Sequence, residues 1–367
     1  MDGHSVLDAL SGEGRASGMS KVSRIGVVIP AYNAGPWLKR TLDSVAASSD
    51  FVPFEVVAID DGSTDDTAVV GEAYAAADSR FRLVRKENGG PGSARNRGFQ
   101  ELSPEVDAVM FLDADDELEP DALGKLRRAL EASPRAVAVY GAARYIGRNS
   151  ERIREGQAEG WHYDRHRVDG DQLTPCAPDE PSTFEVMAVR NAITTPGQAL
   201  MRRSLFTQLG GFDTELRGHE DWHFWVRATL VGELQPIHDV LLNYRDHGSA
   251  QISKNARKMR RDRRLALEKL SRELPPEWAS CLSEGQRLSH RLLGQYWAGW
   301  ALDSFKAGKL VTAANQARHA AQEHVEYAIE SSRDPISAMK RALLELSSSR
   351  TPDTLDSEAT PTGTERR

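Results

Sequence analysis

The sequence predicts an α/β protein: a Rossmann-like, mostly parallel sheet flanked by helices, followed by an all-α extension. Three observations carry this. Short unbroken apolar runs end in Pro, Gly, Asp or Ser, as buried parallel strands do. Helix-periodic stretches separate those runs, and a strand–helix alternation builds a parallel sheet covered on both faces. Beyond about residue 253 the strand-like runs stop, and Ala, Leu, Arg and Glu recur in a helical pattern to Leu346.

Ile25-Gly26-Val27-Val28-Ile29, closed by Pro30, is the first strand. A helix follows from Pro36 to Ala47, with the proline in its first turn, where its missing N–H costs nothing. Phe54–Ile59 is the second strand and runs into Asp60-Asp61-Gly62-Ser63. Ser63 or Thr64 is placed to cap a helix over Asp65–Ala77. Phe81–Val84 is a third strand. The loop Asn88-Gly89-Gly90-Pro91-Gly92 then leads into a helix through Arg95–Glu101. Ala108–Leu112 is a strand, Asp121–Ala132 a helix and Ala136–Tyr140 a strand. Residues 147–190 break the rhythm and read as a long loop or partly extended insertion carrying Trp161, His162 and Tyr163. Gly197–Leu209 reads as a strand and short helix, Glu220–Leu230 as a helix, and Leu234–Tyr244 as a strand.

Lys254–Arg264 is dense in Lys and Arg, and two readings stay open: the solvated face of a helix, or a face lying against anionic lipid heads. Trp297, Trp300 and Ala301, followed by Leu310, Ala313, Ala317 and Ala321, predict an antiparallel helix pair. The expected organisation is a disordered segment over 1–21, the α/β domain over 22–252, a helical extension over 253–346 and a disordered tail over 347–367.

A net charge of −7 argues against a nucleic-acid partner, which calls for a basic domain. Cys176 and Cys281 form no spacing motif, so neither a disulfide framework nor a Cys-rich zinc site is expected, and a reducing compartment fits. No apolar run approaches the ~20 residues that span a bilayer. Residues 1–20 lack the apolar core of a signal peptide. A cytoplasmic location is expected, with contact at the inner face of the membrane tied to the lipid-facing reading of Lys254–Arg264.

The chemistry concentrates in Asp113-Ala114-Asp115-Asp116, delivered by the apolar run Val109–Leu112. Carboxylates this close repel unless a cation neutralises them. Mg²⁺ and Mn²⁺ prefer such oxygens together with substrate phosphates. The competing reading is a solvated acidic turn before the helix that starts near Pro120. The Gly89–Arg95 stretch brings backbone N–H groups and a cation to a helix start, which favours anions. It lacks the Gly-Lys-Ser/Thr ending of a Walker loop. Tyr32 offers a ring for base stacking or for ordinary packing. Glu220 and Asp221, after Gly218 and before Trp222, Phe224 and Trp225, read locally as acids at a helix N-terminus. Trp222 and Trp225 share one side of that helix and read as core.

Six segments together resemble family 2 glycosyltransferases, the large group with a GT-A fold. They are Val27-Val28-Ile29-Pro30-Ala31-Tyr32-Asn33, Asp60-Asp61-Gly62-Ser63-Thr64-Asp65, Asn88-Gly89-Gly90-Pro91-Gly92-Ser93-Ala94-Arg95-Asn96, Asp113-Ala114-Asp115-Asp116, Gly211-Phe212-Asp213 with Glu220-Asp221-Trp222, and Tyr244-Arg245-Asp246-His247. Each is short; their order at family spacing makes the resemblance specific. It covers roughly residues 22–252 and omits the C-terminal helices.

The resemblance implies a metal-dependent, inverting enzyme that moves a sugar from a nucleotide-sugar, foremost a UDP-sugar, to a hydroxyl. The acceptor is a saccharide, a lipid-linked glycan or a small molecule, and polysaccharide or glycoconjugate synthesis is the setting. It assigns Pro30, Ala31, Tyr32, Asp61, Arg95 and Asp113 to the nucleotide-sugar, with Asp61 accepting from a pyrimidine N–H. Asp115 and His247 are assigned to Mg²⁺ or Mn²⁺, and His247 alternatively reads as a phosphate contact or a surface histidine. Asp116 is a second ligand or orients the first. Asp221 is the general base, while His219 and His223 serve as scaffold. A non-catalytic nucleotide-sugar-binding scaffold on the same fold is the rival. A nucleotidyltransferase is disfavoured because Pro30-Ala31-Tyr32-Asn33 is not a Gly-rich basic loop. An NAD dehydrogenase is disfavoured because no G-x-G-x-x-G follows the first strand.

Overall fold

A computed structural model describes residues 21–48, 53–152, 165–247, 256–306 and 310–330. Eight strands form one sheet in the order β3-β2-β1-β4-β9-β6-β10-β5. In chain order these are β1 (Ile25–Ala31), β2 (Phe54–Asp60), β3 (Phe81–Arg85), β4 (Ala108–Phe111), β5 (Glu117–Leu118), β6 (Ala136–Ile146), β9 (Ala199–Arg202) and β10 (Glu233–Arg245). β1 pairs in parallel with β2 and β4, β2 with β3, and β6 with β10. β9 enters antiparallel between β4 and β6, and β5 pairs antiparallel with β10. The sheet is therefore mostly parallel, as expected.

The apolar runs are unbroken because both faces of the sheet are covered. Successive side chains of a strand point to opposite faces. Val28, Val57, Ile59, Val109 and Phe111 enter one core, with α3 (Pro91–Glu101) and α7 (Glu220–Ala228). Val27, Ile29, Val56, Ala58 and Met110 enter the other, under Leu38, Leu42 and Val45 of α1 (Gly35–Ala47) and Leu123, Leu126 and Leu130 of α4 (Ala122–Ala132). Gly98 lets α3 approach β1 closely: a Cβ there would lie 2.2 Å from Val28 Cγ1.

Several boundaries differ from expectation. α2 (Thr67–Ala77) starts later than Asp65, and neither Ser63 nor Thr64 caps it. Asp60 Oδ1 accepts from Ser63 N at 2.8 Å and turns the chain first. Asp65 Oδ1 then accepts from Thr67 N at 3.0 Å. α3 begins at Pro91, so Arg95 lies inside it. β6 continues to Ile146, past Tyr140. The 147–190 stretch contains a hairpin of β7 (His166–Asp169) and β8 (Gln172–Pro175) and the short α5 (Phe184–Val189). α6 (Arg203–Leu209) follows β9. Trp161, His162 and Tyr163, residues 1–20 and 331–367, and Lys254 and Asn255 lie outside the described residues.

By internal packing the chain divides after Gly285 into two compact units. The first holds the sheet and α8 (Ala256–Glu273), whose Ala266 and Leu270 join the core that contains Trp222 and Trp225. α9 (Pro276–Lys306) starts in the first unit and runs into the second, which also holds α10 (Leu310–Glu330). There the expected helix pair is joined by His290 Nδ1 and Glu323 Oε2, 2.7 Å apart. Among the described residues no helix is long and apolar enough to cross a membrane.

Candidate active site

The C-terminal ends of β1, β2 and β4 lie side by side, where ligands bind in open α/β sheets. At the end of β1, Ala31 is buried, and its carbonyl accepts from Asp61 N at 2.8 Å. Pro30 is half-buried, and Tyr32 projects past the strand end with 55% of its surface exposed. Asn33 turns the chain with φ 51° and receives Thr64 N on its side chain at 2.9 Å. Tyr32 therefore stands free on a braced turn.

Asp61 is buried at the end of β2. Its Oδ1 accepts from Lys86 Nζ at 2.6 Å and Gly89 N at 2.9 Å, and its Oδ2 from Gly90 N at 2.7 Å. A carboxylate has about four acceptor sites, so Asp61 first organises the glycine loop and keeps little further capacity. Gly90 sits at φ +84°, a conformation that side-chain-bearing residues rarely adopt.

Arg95 points inward from α3, nearly buried. Its NH1 donates to Glu220 Oε1 at 2.6 Å and its NH2 to Asp113 Oδ1 at 2.7 Å. Burial opposes its charge, but Asp113 and Glu220 outweigh burial and hold its pKa above the ordinary value. The same guanidinium thus ties the end of β4 to the start of α7. Asp113 Oδ2 in turn accepts from Thr195 Oγ1 at 3.1 Å.

Asp115 and His247 meet: Oδ2 and Nε2 are 2.9 Å apart. The imidazole stacks on Trp37, with ring centroids 4.2 Å apart. Arg245, fully buried, holds this corner. Its Nε donates to Asp115 O at 2.8 Å, its backbone N to Asp116 Oδ1 at 3.0 Å, and its NH2 to Glu117. Asp116 is buried, and its pKa is pushed well up by burial and by the charges of Asp115 and Asp113. A buried carboxylate crowded by two others thus lies next to a partly exposed Asp–His pair, an oxygen-rich arrangement of the chemistry that hard divalent cations prefer.

Glu220 and Asp221 open α7. Burial and the Glu220 charge push the Asp221 carboxyl up to about 7, while Arg95 pulls it down and Asp113 adds to the rise. Asp221 Oδ2 accepts from Asn191 Nδ2 at 3.2 Å. Burial, with the nearby Arg263 charge, lowers His219 to about 4, which suits a scaffold role.

A second group of potential ligands, Asp213, His223 and Glu273, has ligand atoms within 4.8 Å of one another. Lys269 Nζ lies 2.7 Å from Asp213 and Arg227 Nε 3.7 Å from Glu273, so cations of the chain already balance this group.

The fold thus brings Arg95, Asp113 and Asp221 into one linked cluster, reached through Glu220. Asp115 and His247 form a pair joined to it through the Asp113–Asp116 turn. Asp61, Pro30, Ala31 and Tyr32 line the neighbouring strand ends. Sequence reasoning missed Thr195, Asn191 and Trp37. Thr195-Pro196-Gly197-Gln198 has the spacing of a capping box, which marked a turn there. Asn191 and Trp37 carried no local signal.

The profile of glycosyl transferase family 2 matches residues 26–210. The glycosyltransferase GlyA of Streptococcus pneumoniae serotype 4 is 29% identical over 215 residues, 57% of this chain and 28% of that protein. An uncharacterized glycosyltransferase of Nostoc sp. is 33% identical over 235 residues, 62% of this chain and 66% of that protein. In GlyA and several other curated relatives the matched stretch is less than a third of the relative's length. The crystal structure of S. aureus TarS 1–349 in complex with UDP aligns with a TM-score of 0.57 at 17% identity, covering 89% of this chain and 92% of that one. Mannosyltransferase PcManGT from Pyrobaculum calidifontis, in complex with GDP-Man and Mn²⁺, aligns with a TM-score of 0.50 at 19% identity, covering 95% and 87%. These likenesses establish a shared GT-A sheet and helix arrangement.

Proposed function

Because the chain belongs to glycosyl transferase family 2, we propose that it transfers a sugar from a nucleotide-sugar, foremost a UDP-sugar, to an acceptor hydroxyl with inversion at the anomeric carbon. One observation carries this reading: the Asp113–Asp116 turn, with its Asp115–His247 pair, is joined through Arg95 and Glu220 to the helix start that bears Asp221.

In this reading Tyr32 stacks on the base, and Pro30 and Ala31 present backbone to base and ribose. Asp61 shapes the base pocket through the glycine loop and offers its remaining acceptor site to a base N–H. Arg95 holds Asp113 toward the ribose. Asp115 and His247 would hold Mg²⁺ or Mn²⁺, which would supply Lewis-acid stabilisation of the diphosphate leaving group. Asp221 accepts the acceptor's hydroxyl proton as the new carbon–oxygen bond forms at the anomeric carbon. The bond to the diphosphate breaks on the opposite side, and its electron pair leaves with the nucleotide. Single displacement inverts the centre. An acid held near 7 is matched to this task at neutral pH.

The acceptor is a saccharide, a lipid-linked glycan or a small molecule. Exposed Arg260, Arg261 and Arg264 on α8 support contact with an anionic membrane surface, which co-sedimentation with anionic vesicles checks.

Calorimetry with UDP, GDP and dTDP, each with and without Mn²⁺, tests the donor site. Metal-dependent binding of one nucleotide is expected; a folded protein that binds none of them overturns the reading. Binding without transfer or donor hydrolysis would favour a scaffold.

A further inference from the structure

Asn191 is absent from the six segments that carry the family resemblance, yet its side chain touches Asp221. Its Nδ2 lies 3.2 Å from Asp221 Oδ2, and its own Oδ1 accepts from Ile193 N at 3.1 Å. The second bond orients the amide: an oxygen must face Ile193 N, so the NH₂ faces Asp221. Ala192 and Ile193 are buried and anchor the segment. Four residues on, Thr195 Oγ1 donates to Asp113 Oδ2. One short stretch of chain therefore grips a carboxylate at the start of α7 and another at the end of β4.

We propose that Asn191 is a positioning residue that occupies one oxygen of Asp221, so that the other is presented to the acceptor hydroxyl. The inference rests on the reading of Asp221 as base. Its physical basis is that an amide does not titrate and donates at every pH. A hydrogen bond to the charged form of a carboxylate favours that form. The groups acting on Asp221 are Glu220 and Asp113, which oppose its ionisation, and Arg95 and the Trp222 backbone N–H, which favour it. Burial makes the proton harder to lose. Asn191 adds a neutral donor to the favouring side, without adding a charge beside the acceptor.

The test is a ¹³C NMR titration of the full chain labelled at aspartate carboxyl carbons, with Asp221 identified by the resonance lost in Asp221→Asn. Release of nucleotide from UDP-GlcNAc or GDP-mannose, with water as acceptor and saturating Mn²⁺, is followed in parallel. In Asn191→Ala the Asp221 titration is expected to move up by about one pH unit, a tenfold change in ionisation equilibrium. Nucleotide release is then expected to fall more at pH 6.5 than at pH 9, with nucleotide affinity unchanged. Asn191→Leu, similar in size and with neither donor nor charge, keeps the test available if the alanine variant does not fold, and the shift is expected in the same direction. An Asp221 titration that stays in place in the folded variant overturns the inference, as does a rate loss equal at all pH values. Full nucleotide release by Asp221→Asn instead removes the reading of Asp221 as base, an outcome separate from either.

Discussion

The two rims of the candidate site hold carboxylates in opposite ways. On the β2 side, buried Asp61 receives a lysine and two backbone N–H groups, all within 2.9 Å. Its charge is met entirely by the chain. On the β4 side, Asp113, Asp116, Glu117, Glu220 and Asp221 share two arginines, Arg95 and Arg245, while Asp115 faces His247. Asp116 and Asp221 are forced toward their protonated forms there. A satisfied carboxylate builds a pocket. One that is buried and crowded by other carboxylates is poised to take a cation or a proton.

The sharpest break of this comparison is Asp221→Asn. Nucleotide binding is expected to persist while turnover falls by roughly 10²–10⁴-fold, the usual worth of a general base. Steady-state kinetics beside calorimetry reads both, and retained turnover would move the base elsewhere. Asp115→Ala is expected to abolish the metal-dependent part of UDP binding. Unchanged affinity with Mn²⁺ would sink its ligand role.

Stability separates the rims next. Arg245→Met strands Glu117 and the carbonyls of Asp115, Gly147 and Arg148 that the buried guanidinium serves, and a loss of about 3–5 kcal/mol is expected in urea unfolding. The same chemical change then discriminates directly. Asp61→Asn sets an amide among donors and is expected to cost about 1–3 kcal/mol. Asp116→Asn relieves crowding and is expected to be neutral or stabilising without added metal. Equal losses at both positions would erase the distinction.

The smallest effect is in pH. Asp116 and Asp221 have folded pKa values above the unfolded 3.8, so the folded chain binds these protons more tightly. Their contribution to stability is present at low pH and is lost as pH rises from about 4 toward 7. Activity runs the other way, because Asp221 accepts a proton only when ionised. Unfolding and rate profiles measured over the same pH range, the former without metal, are expected to slope in opposite directions.

Much of this was legible in the chain. The β1, β2 and β4 runs are readable because a strand buried on both faces has no polar positions to interrupt it. The Asp113–Asp116 cluster is readable because charge at the end of such a run is conspicuous. Helix starts were less so. The first turn of α3 is set by the Pro91 geometry and by Asp61 holding Gly89 and Gly90, a contact 28 residues distant in sequence. Asn191 and Trp37 were invisible for the same reason: their partners, Asp221 and His247, come from remote segments.

By itself, the sequence determined the alternation of elements, the class of fold, the family resemblance and the residue types available for chemistry, since these follow from local periodicity and short motifs. Only the tertiary structure decided which charges meet. The long-range pairs Arg95–Glu220, Arg245–Asp116 and Asn191–Asp221 depend on where helices land on the sheet. The ionisation of a carboxylate depends on everything packed around it, which no local pattern records.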